Sequence, residues 1–275
     1  MLVNLSEILK IAEEKGIAIG AFNTPNLTSL KAIIAAAEEL NQPVIIMHAQ
    51  VHEEMDLCTI EEVAPMMVAA AKRASVPVCV HLDHGTDLDY VKRGLDLGFT
   101  SVMYDGSTLS TEENIKNTIT AVQMAHEKGA SVEAEIGSMG TREGGNGNDT
   151  SIYTDPDTAK DFVVKTGVDA LACAFGTAHG FYKDTPKLDF DRLSKINSLI
   201  DVPIVMHGGS GVSEEDYREV IKRGVRKVNY YTYMAKAGGE ALSGKQYSQF
   251  HDALLDAREA MKQNVAKAIK VFCGE

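Results

Sequence analysis

A chain of 275 residues, 44% hydrophobic and 24% charged, has enough apolar content for one large domain. Its net charge of −12, with no basic block, excludes a nucleic-acid surface; an anionic ligand must be held locally, by backbone N–H groups and a cation. No apolar run reaches about 18 residues, no signal peptide is evident, and Cys58, Cys79, Cys173 and Cys273 are scattered, so no membrane span or disulfide framework is expected and the chain reads as cytoplasmic.

Strand and helix patterns alternate throughout. An amphipathic helix over residues 6–15 precedes a first strand over 17–22, and Asn23-Thr24-Pro25-Asn26 forms the turn. An Ala-rich helix over 27–40 leads to a second strand, 43–48, and then to a helix over 60–73. The third strand, 76–80, runs into His81-Leu82-Asp83-His84-Gly85, with a helix opening near Asp87. Residues 100–107 hold the fourth strand and its loop, and Ser110 and Glu113 have capping-box spacing at the start of a long helix. The fifth strand, 131–137, places Glu133 and Glu135 on one face. A polar, Gly-rich stretch over 138–150 has no apolar period and reads as a mobile loop.

A helix over 157–166 then leads to the sixth strand and His179-Gly180. The seventh strand ends in His207-Gly208-Gly209-Ser210-Gly211, and the eighth is Val225-Arg226-Lys227-Val228-Asn229. The remainder is a helical extension. Eight βα units with short connections predict a single-domain (β/α)8 TIM barrel over 1–275, with an open doubly wound sheet as runner-up.

Three strands therefore deliver a His at the same end, each followed by Gly. Three neutral imidazoles are a usual ligand set for a catalytic Zn²⁺ with an open position, so His84, His179 and His207 are the expected ligands. His81 and Asp83 share a strand face, and His81 is expected to look into the barrel behind the ligands. Asp83 suits either of two roles, a catalytic acid/base or a partner that orients His84. Asp105, Glu133 and Glu135 are expected behind the ligands or as alternative ligands. Glu143, the only Glu of the Gly-rich loop, suits a proton carrier that closes over substrate. The small residues Gly208, Gly209, Ser210 and Gly211 suit an anion-binding loop, which Asn229 would complete. His126 and His251 are isolated and read as structural.

The chain resembles the class II, zinc-dependent fructose-bisphosphate and tagatose-bisphosphate aldolase family. The resemblance spans nearly the whole chain. It rests on residues 81–85, 101–107, 132–137 and 207–211 together with His179-Gly180-x-Tyr182-Lys183. It implies reversible cleavage of a ketose (bis)phosphate to dihydroxyacetone phosphate and an aldehyde, by a homodimer or homotetramer. It further implies one Zn²⁺ per subunit, held by His84, His179 and His207 with Glu135 nearby, and it admits a monovalent cation. Asp83 matches the acid/base at the aldehyde-side hydroxyl, and Glu143 the loop residue that takes a proton from dihydroxyacetone phosphate. Gly180, Gly208, Ser210, Asn229 and Thr232 match the dihydroxyacetone phosphate site, Lys183 lies beside it, and Asn23 and Tyr231 join the expected substrate contacts.

Three positions depart from the family pattern. Tyr231 replaces a residue that touches substrate hydroxyls in the bisphosphate enzymes, Ala49 replaces a Ser or Thr, and a C-terminal Asp-Pro-Arg is missing, with His251, by register, or Arg258 as the nearest candidates for its Arg. These changes predict a retained dihydroxyacetone phosphate end and an altered aldehyde end. Two rival readings on the same barrel are a metal-dependent hydrolase and a non-catalytic sugar-phosphate-binding protein.

Overall fold

The computed structural model describes residues 1–137, 153–182 and 185–275. A two-residue strand, β1 (Leu2–Val3), precedes helix α1 (Leu5–Lys15). The first half continues with β2 (Ile19–Asn23), α2 (Leu27–Glu39), β3 (Val44–Ala49), α3 (Gln50–Glu54), α4 (Ile60–Arg73), β4 (Val78–Gly85), α5 (Leu88–Asp96) and β5 (Ser101–Tyr104). The second half holds α6 (Thr111–His126), β6 (Ser131–Ile136), α7 (Pro156–Thr166), β7 (Ala170–Cys173), α8 (Phe190–Leu199), β8 (Ile204–Met206), α9 (Glu214–Lys222), β9 (Val225–Asn229), α10 (Thr232–Leu242) and α11 (Phe250–Phe272).

Strands β2 to β9 pair in parallel around a closed ring. Closure is explicit in the register: Ile19 of β2 pairs with Lys227 of β9, and His81 of β4 with Ser101 of β5. An open sheet would leave two edges unpaired, so the runner-up architecture is excluded. The protein is a single-domain (β/α)8 TIM barrel. Among the described residues, no helix is long and apolar enough to cross a membrane.

Helix α1 decides which end of the barrel is open. Asn4 caps it in a full capping box with Glu7, and Leu5, Ile8, Leu9 and Ala12 form one wholly buried stripe. That stripe packs with the inward side chains Ile19, Ala21, Ile45, Met47, Cys79, Ala170, Ala172 and Val205. The N-terminal end is thereby plugged with apolar matter. One step further toward the C-terminal ends of the strands, the interior turns polar, with His81, Glu133 and Lys227 all fully buried.

The expected elements differ from the structure in three places. The first barrel strand begins at Ile19, two residues later than its apolar run. Ser110 caps α6 through the Glu113 N–H, but the Glu113 carboxylate takes the Ser110 hydroxyl (2.7 Å) and not its backbone N–H, so the box is only half formed. Helix α3 is too short, at five residues, to show a helical period.

Candidate active site at the C-terminal mouth

The open end gathers side chains from six elements. Asp83 and His84 come from β4, Asp105 from the loop after β5, Glu133 and Glu135 from β6, His179 from the loop after β7, His207 from the end of β8, and Asn229 from β9. Strict alternation along β4 would send His84 to the opposite face from Asp83. A bulge prevents this. Between the pairs Leu82–Val102 and Gly85–Tyr104, β4 advances three residues while β5 advances two. His84 takes the left-handed conformation, φ +50°, a strain of about 1–3 kcal/mol that brings both side chains into one site.

The three imidazoles form one cluster. Ligand atoms of His84, His179 and His207 all lie within 4.8 Å of one another. Two of these rings have their tautomers fixed from behind. His84 Nδ1 lies 2.7 Å from Asp105 Oδ2, and His207 Nε2 lies 2.7 Å from Glu133 Oε1. Each carboxylate takes the ring proton on its own side, which turns His84 Nε2 and His207 Nδ1 toward the centre of the cluster. Those two atoms face each other at 3.0 Å. At that distance either a proton or a metal ion fits between them, and two nitrogens on one tetrahedral Zn²⁺ stand roughly 3.3 Å apart.

Without a metal, the electrostatics place a proton on His84. Burial opposes charge on His84, yet Asp83, Asp105 and Glu135 overcome it and raise its pKa to about 10. His179 is driven down to about 3, by burial first and then by His84 and His207. Glu135 Oε2 is buried without a hydrogen-bond partner, 3.8 Å from His207 Nδ1, and burial raises this carboxyl to about 8. An orphaned carboxylate beside three inward nitrogens fits a divalent metal with N and O ligands. A second set, His84, Asp105 and Glu135, is equally compact, but its His84 Nδ1 is occupied by Asp105.

The geometry removes one of the two readings of Asp83. Its distance to His84 Nε2 is 3.9 Å, too long for the orienting bond, which Asp105 makes instead. Asp83 is itself held on both sides: Asn23 Nδ2 donates to Oδ2 at 3.0 Å and Asn229 Nδ2 to Oδ1 at 3.1 Å. Burial works against the Asp83 carboxylate, but His84, His207, Lys227 and Asn23 outweigh it and hold the group ionised, well below the usual carboxylate range.

Lys227 is a site residue that the sequence reading passed over. It is fully buried, with Nζ 2.8 Å from Glu133 Oε2 and donating to Asn229 Oδ1 at 2.7 Å. A signal existed, because Lys227 and Asn229 are two apart on one strand and so share its inward face. His81 is buried as expected, with Nδ1 2.7 Å from Ser101 Oγ and Nε2 3.6 Å from Glu133, and burial followed by Lys227 lowers it to about 3. His126 and His251 lie on helices away from the site, paired with Asp169 and Asp252.

The cluster opens into a cavity of about 360 Å³. One side is built from Gly180, Gly208, Gly209, Ser210 and Thr232. Gly208 has φ +63°, and a Cβ there would lie 2.4 Å from the Ala178 carbonyl oxygen; a Cβ on Gly209 would lie 2.7 Å from the Asn229 oxygen. Neither position tolerates a side chain. The loop is braced from behind, where the Tyr182 hydroxyl donates to Gly208 O at 2.9 Å and the Tyr217 hydroxyl donates to Gly209 O. Thr232 opens α10, whose first N–H groups lack helical partners and favour an anion. Asn23 and Tyr231 also line the cavity. Glu143 and Lys183 lie outside the described residues.

A small-molecule catalytic centre for an anionic substrate, at the mouth of a closed βα barrel, is what the fold and site define. The sequence profile described as fructose-bisphosphate aldolase class-II matches residues 3–275. The fructose-bisphosphate aldolase of Staphylococcus aureus (strain Mu50 / ATCC 700699) is 38% identical over 278 residues, covering 98% of this chain and 97% of that one. The crystal structure of the YdjI aldolase from Escherichia coli K12 superposes with a TM-score of 0.90 at 35% identity, over 99% of this chain and 97% of that one. Fructose-bisphosphate aldolase (Fba) from Campylobacter jejuni shares the fold, with a TM-score of 0.81 at 24% identity over 98% of this chain and 95% of that one. The chain belongs to the class-II fructose-bisphosphate aldolase family. It is an aldolase, a carbon–carbon lyase.

Proposed function

We propose that this aldolase is zinc-dependent and reversibly cleaves a ketose phosphate to dihydroxyacetone phosphate and an aldehyde, with His84, His179 and His207 holding the metal. The observation that carries the reading is the convergence of the three imidazoles, their ligand atoms within 4.8 Å of one another, beside the buried and unpartnered Glu135 Oε2. A bound Zn²⁺ would supply positive charge opposite the ketose carbonyl oxygen, which stabilises the negative charge that builds up when the bond breaks.

The chain's own residues do the rest. The Gly180, Gly208–Ser210 and Thr232 side of the cavity would bind the phosphate. Asp83, ionised and aimed by Asn23 and Asn229, takes the proton from the aldehyde-side hydroxyl. The carbon–carbon bond breaks, its electron pair stays with the dihydroxyacetone phosphate half, and the aldehyde departs. Glu143 would return a proton to that carbon, and Lys183 would stand beside the phosphate; both assignments rest on the family resemblance. The reading includes a homodimer or homotetramer, again from the resemblance. It also includes a cytoplasmic setting, which four unpaired cysteines support.

The direct test is a coupled assay for dihydroxyacetone phosphate release from ketose 1-phosphates and 1,6-bisphosphates, with and without a chelator. Release that stops on chelation and returns with Zn²⁺ is expected. Phosphate or other hydrolysis products without dihydroxyacetone phosphate would sink the reading. Asp105→Asn should weaken Zn²⁺ about 10- to 100-fold, because the amide no longer draws the Nδ1 proton of His84; competition with a chromogenic chelator measures it.

A further inference from the structure

The cavity has a second side, and it differs from the first in kind. Ala49, Val51, His52, Met55, Leu57 and Tyr231 line it, at the end of β3, on α3 and the turn that follows, and at the head of α10. Strand β3, which carries α3, stands three places round the barrel from β8, which carries the glycine loop. Ala49 is the register partner of Asp83. The wall therefore begins beside the carboxylate that takes the aldehyde-side hydroxyl proton, and it meets the aldehyde half of the substrate.

This wall is uncharged. Its only titratable members are His52 and Tyr231, whose rings lie 5.4 Å apart. Burial lowers the His52 pKa, which keeps the ring neutral, and burial raises the Tyr231 hydroxyl. No Lys or Arg among the described residues lines the cavity. The remaining members are apolar and unusually open: Val51, Met55 and Leu57 are 48%, 61% and 52% exposed at a single mouth. Three large apolar side chains at one rim mark a binding surface. A phosphate placed against it would lose water and gain no cation among the described residues, whereas a methyl group would gain contact.

We propose that the aldehyde half of the substrate is uncharged and ends in an apolar carbon, so that the chain acts on ketose 1-phosphates with a deoxy terminus. The α3 wall is the specificity element. This inference rests on the proposed aldolase reaction, and the experiment separates the two.

Metal-replete enzyme is first given dihydroxyacetone phosphate alone in deuterated water. Exchange of a carbon-bound proton tests the phosphate end without any aldehyde; no exchange removes the aldolase reading and this inference with it. The enzyme is then offered dihydroxyacetone phosphate with lactaldehyde, glyceraldehyde or glyceraldehyde 3-phosphate. The expected order of kcat/KM is as written, with at least tenfold between the ends. Any other order, a smaller spread, or exchange without condensation overturns the inference while leaving the reaction standing. Met55→Lys, at an exposed position, should raise glyceraldehyde 3-phosphate at least fivefold relative to lactaldehyde. An unchanged ratio would remove α3 as the specificity element.

Discussion

Asp83→Asn should lower kcat for cleavage by about 10²- to 10⁴-fold, some 2.7–5.4 kcal/mol of barrier, while leaving bound metal in place. The amide keeps the shape of the carboxylate but cannot accept the hydroxyl proton. The new amide oxygen keeps the bond that Asn229 donates, and a turned-over Asn23 amide accepts from the new NH2, so the side chain stays in its plane and the effect is chemical. The phosphate half does not need Asp83. Exchange of the dihydroxyacetone phosphate proton with solvent should therefore survive within about tenfold, since only the aldehyde-side proton transfer is removed. Parallel assays of cleavage and exchange decide the matter. A cleavage loss under tenfold would show that Asp83 only shapes the site, and equal loss of both reactions would show that it acts through the metal.

Lys227→Met should cost about 3–5 kcal/mol of stability at neutral pH, read from urea melts. Removing the ammonium leaves Glu133 buried and unpaired on that side, in a barrel that also buries Asp83 and Glu135. In the natural chain burial opposes the Glu133 charge, but Lys227 and His207 win and hold the group well below the usual carboxylate range. A lowered carboxylate contributes stability above its unfolded pKa of about 4.3 and loses it as pH falls through the folded value. In the variant the Glu133 pKa rises above its unfolded value, so the charged form becomes the liability. The deficit should be largest near neutral pH and shrink below about pH 4.3. The double variant Lys227→Met with Glu133→Gln should recover part of the loss, because it buries no orphaned charge. A variant as stable as the parent at pH 7 would show that the pair is energetically neutral.

Much of the fold was written locally. Alternating strand and helix periods, the capping residues Asn4, Thr59 and Asp87, and the His-Gly strand ends depend on neighbours within a few residues. The same local code placed His84, His179 and His207 at one end of the barrel, since parallel strands all present their C-terminal ends together. It also placed Glu133 and Glu135, or His81 and Asp83, on shared faces, because a strand alternates with a period of two.

Partner choice was not local. The sequence offered Asp83 to orient His84 and placed Asp105 only behind the ligands, and it is the bulge at Leu82–Gly85 and the crossing of β5 that gave the orienting bond to Asp105. The family resemblance put Asp83 in the catalytic role; the two asparagines that hold it lie 60 and 146 residues away. Lys227 sat visibly on the inward face of its strand, but its meaning required Glu133 from the far side of the barrel. The departures at Ala49 and Tyr231 pointed to an altered aldehyde end, and helix α3, in the wall between them, is five residues long, too short to carry a period. The sequence by itself determined the barrel and the residues delivered to its mouth, because backbone hydrogen bonding and side-chain periodicity act over short spans. Which charges neutralise one another, and what surface faces the substrate, only the closed ring decided, because electrostatic pairing and cavity shape depend on distances in space.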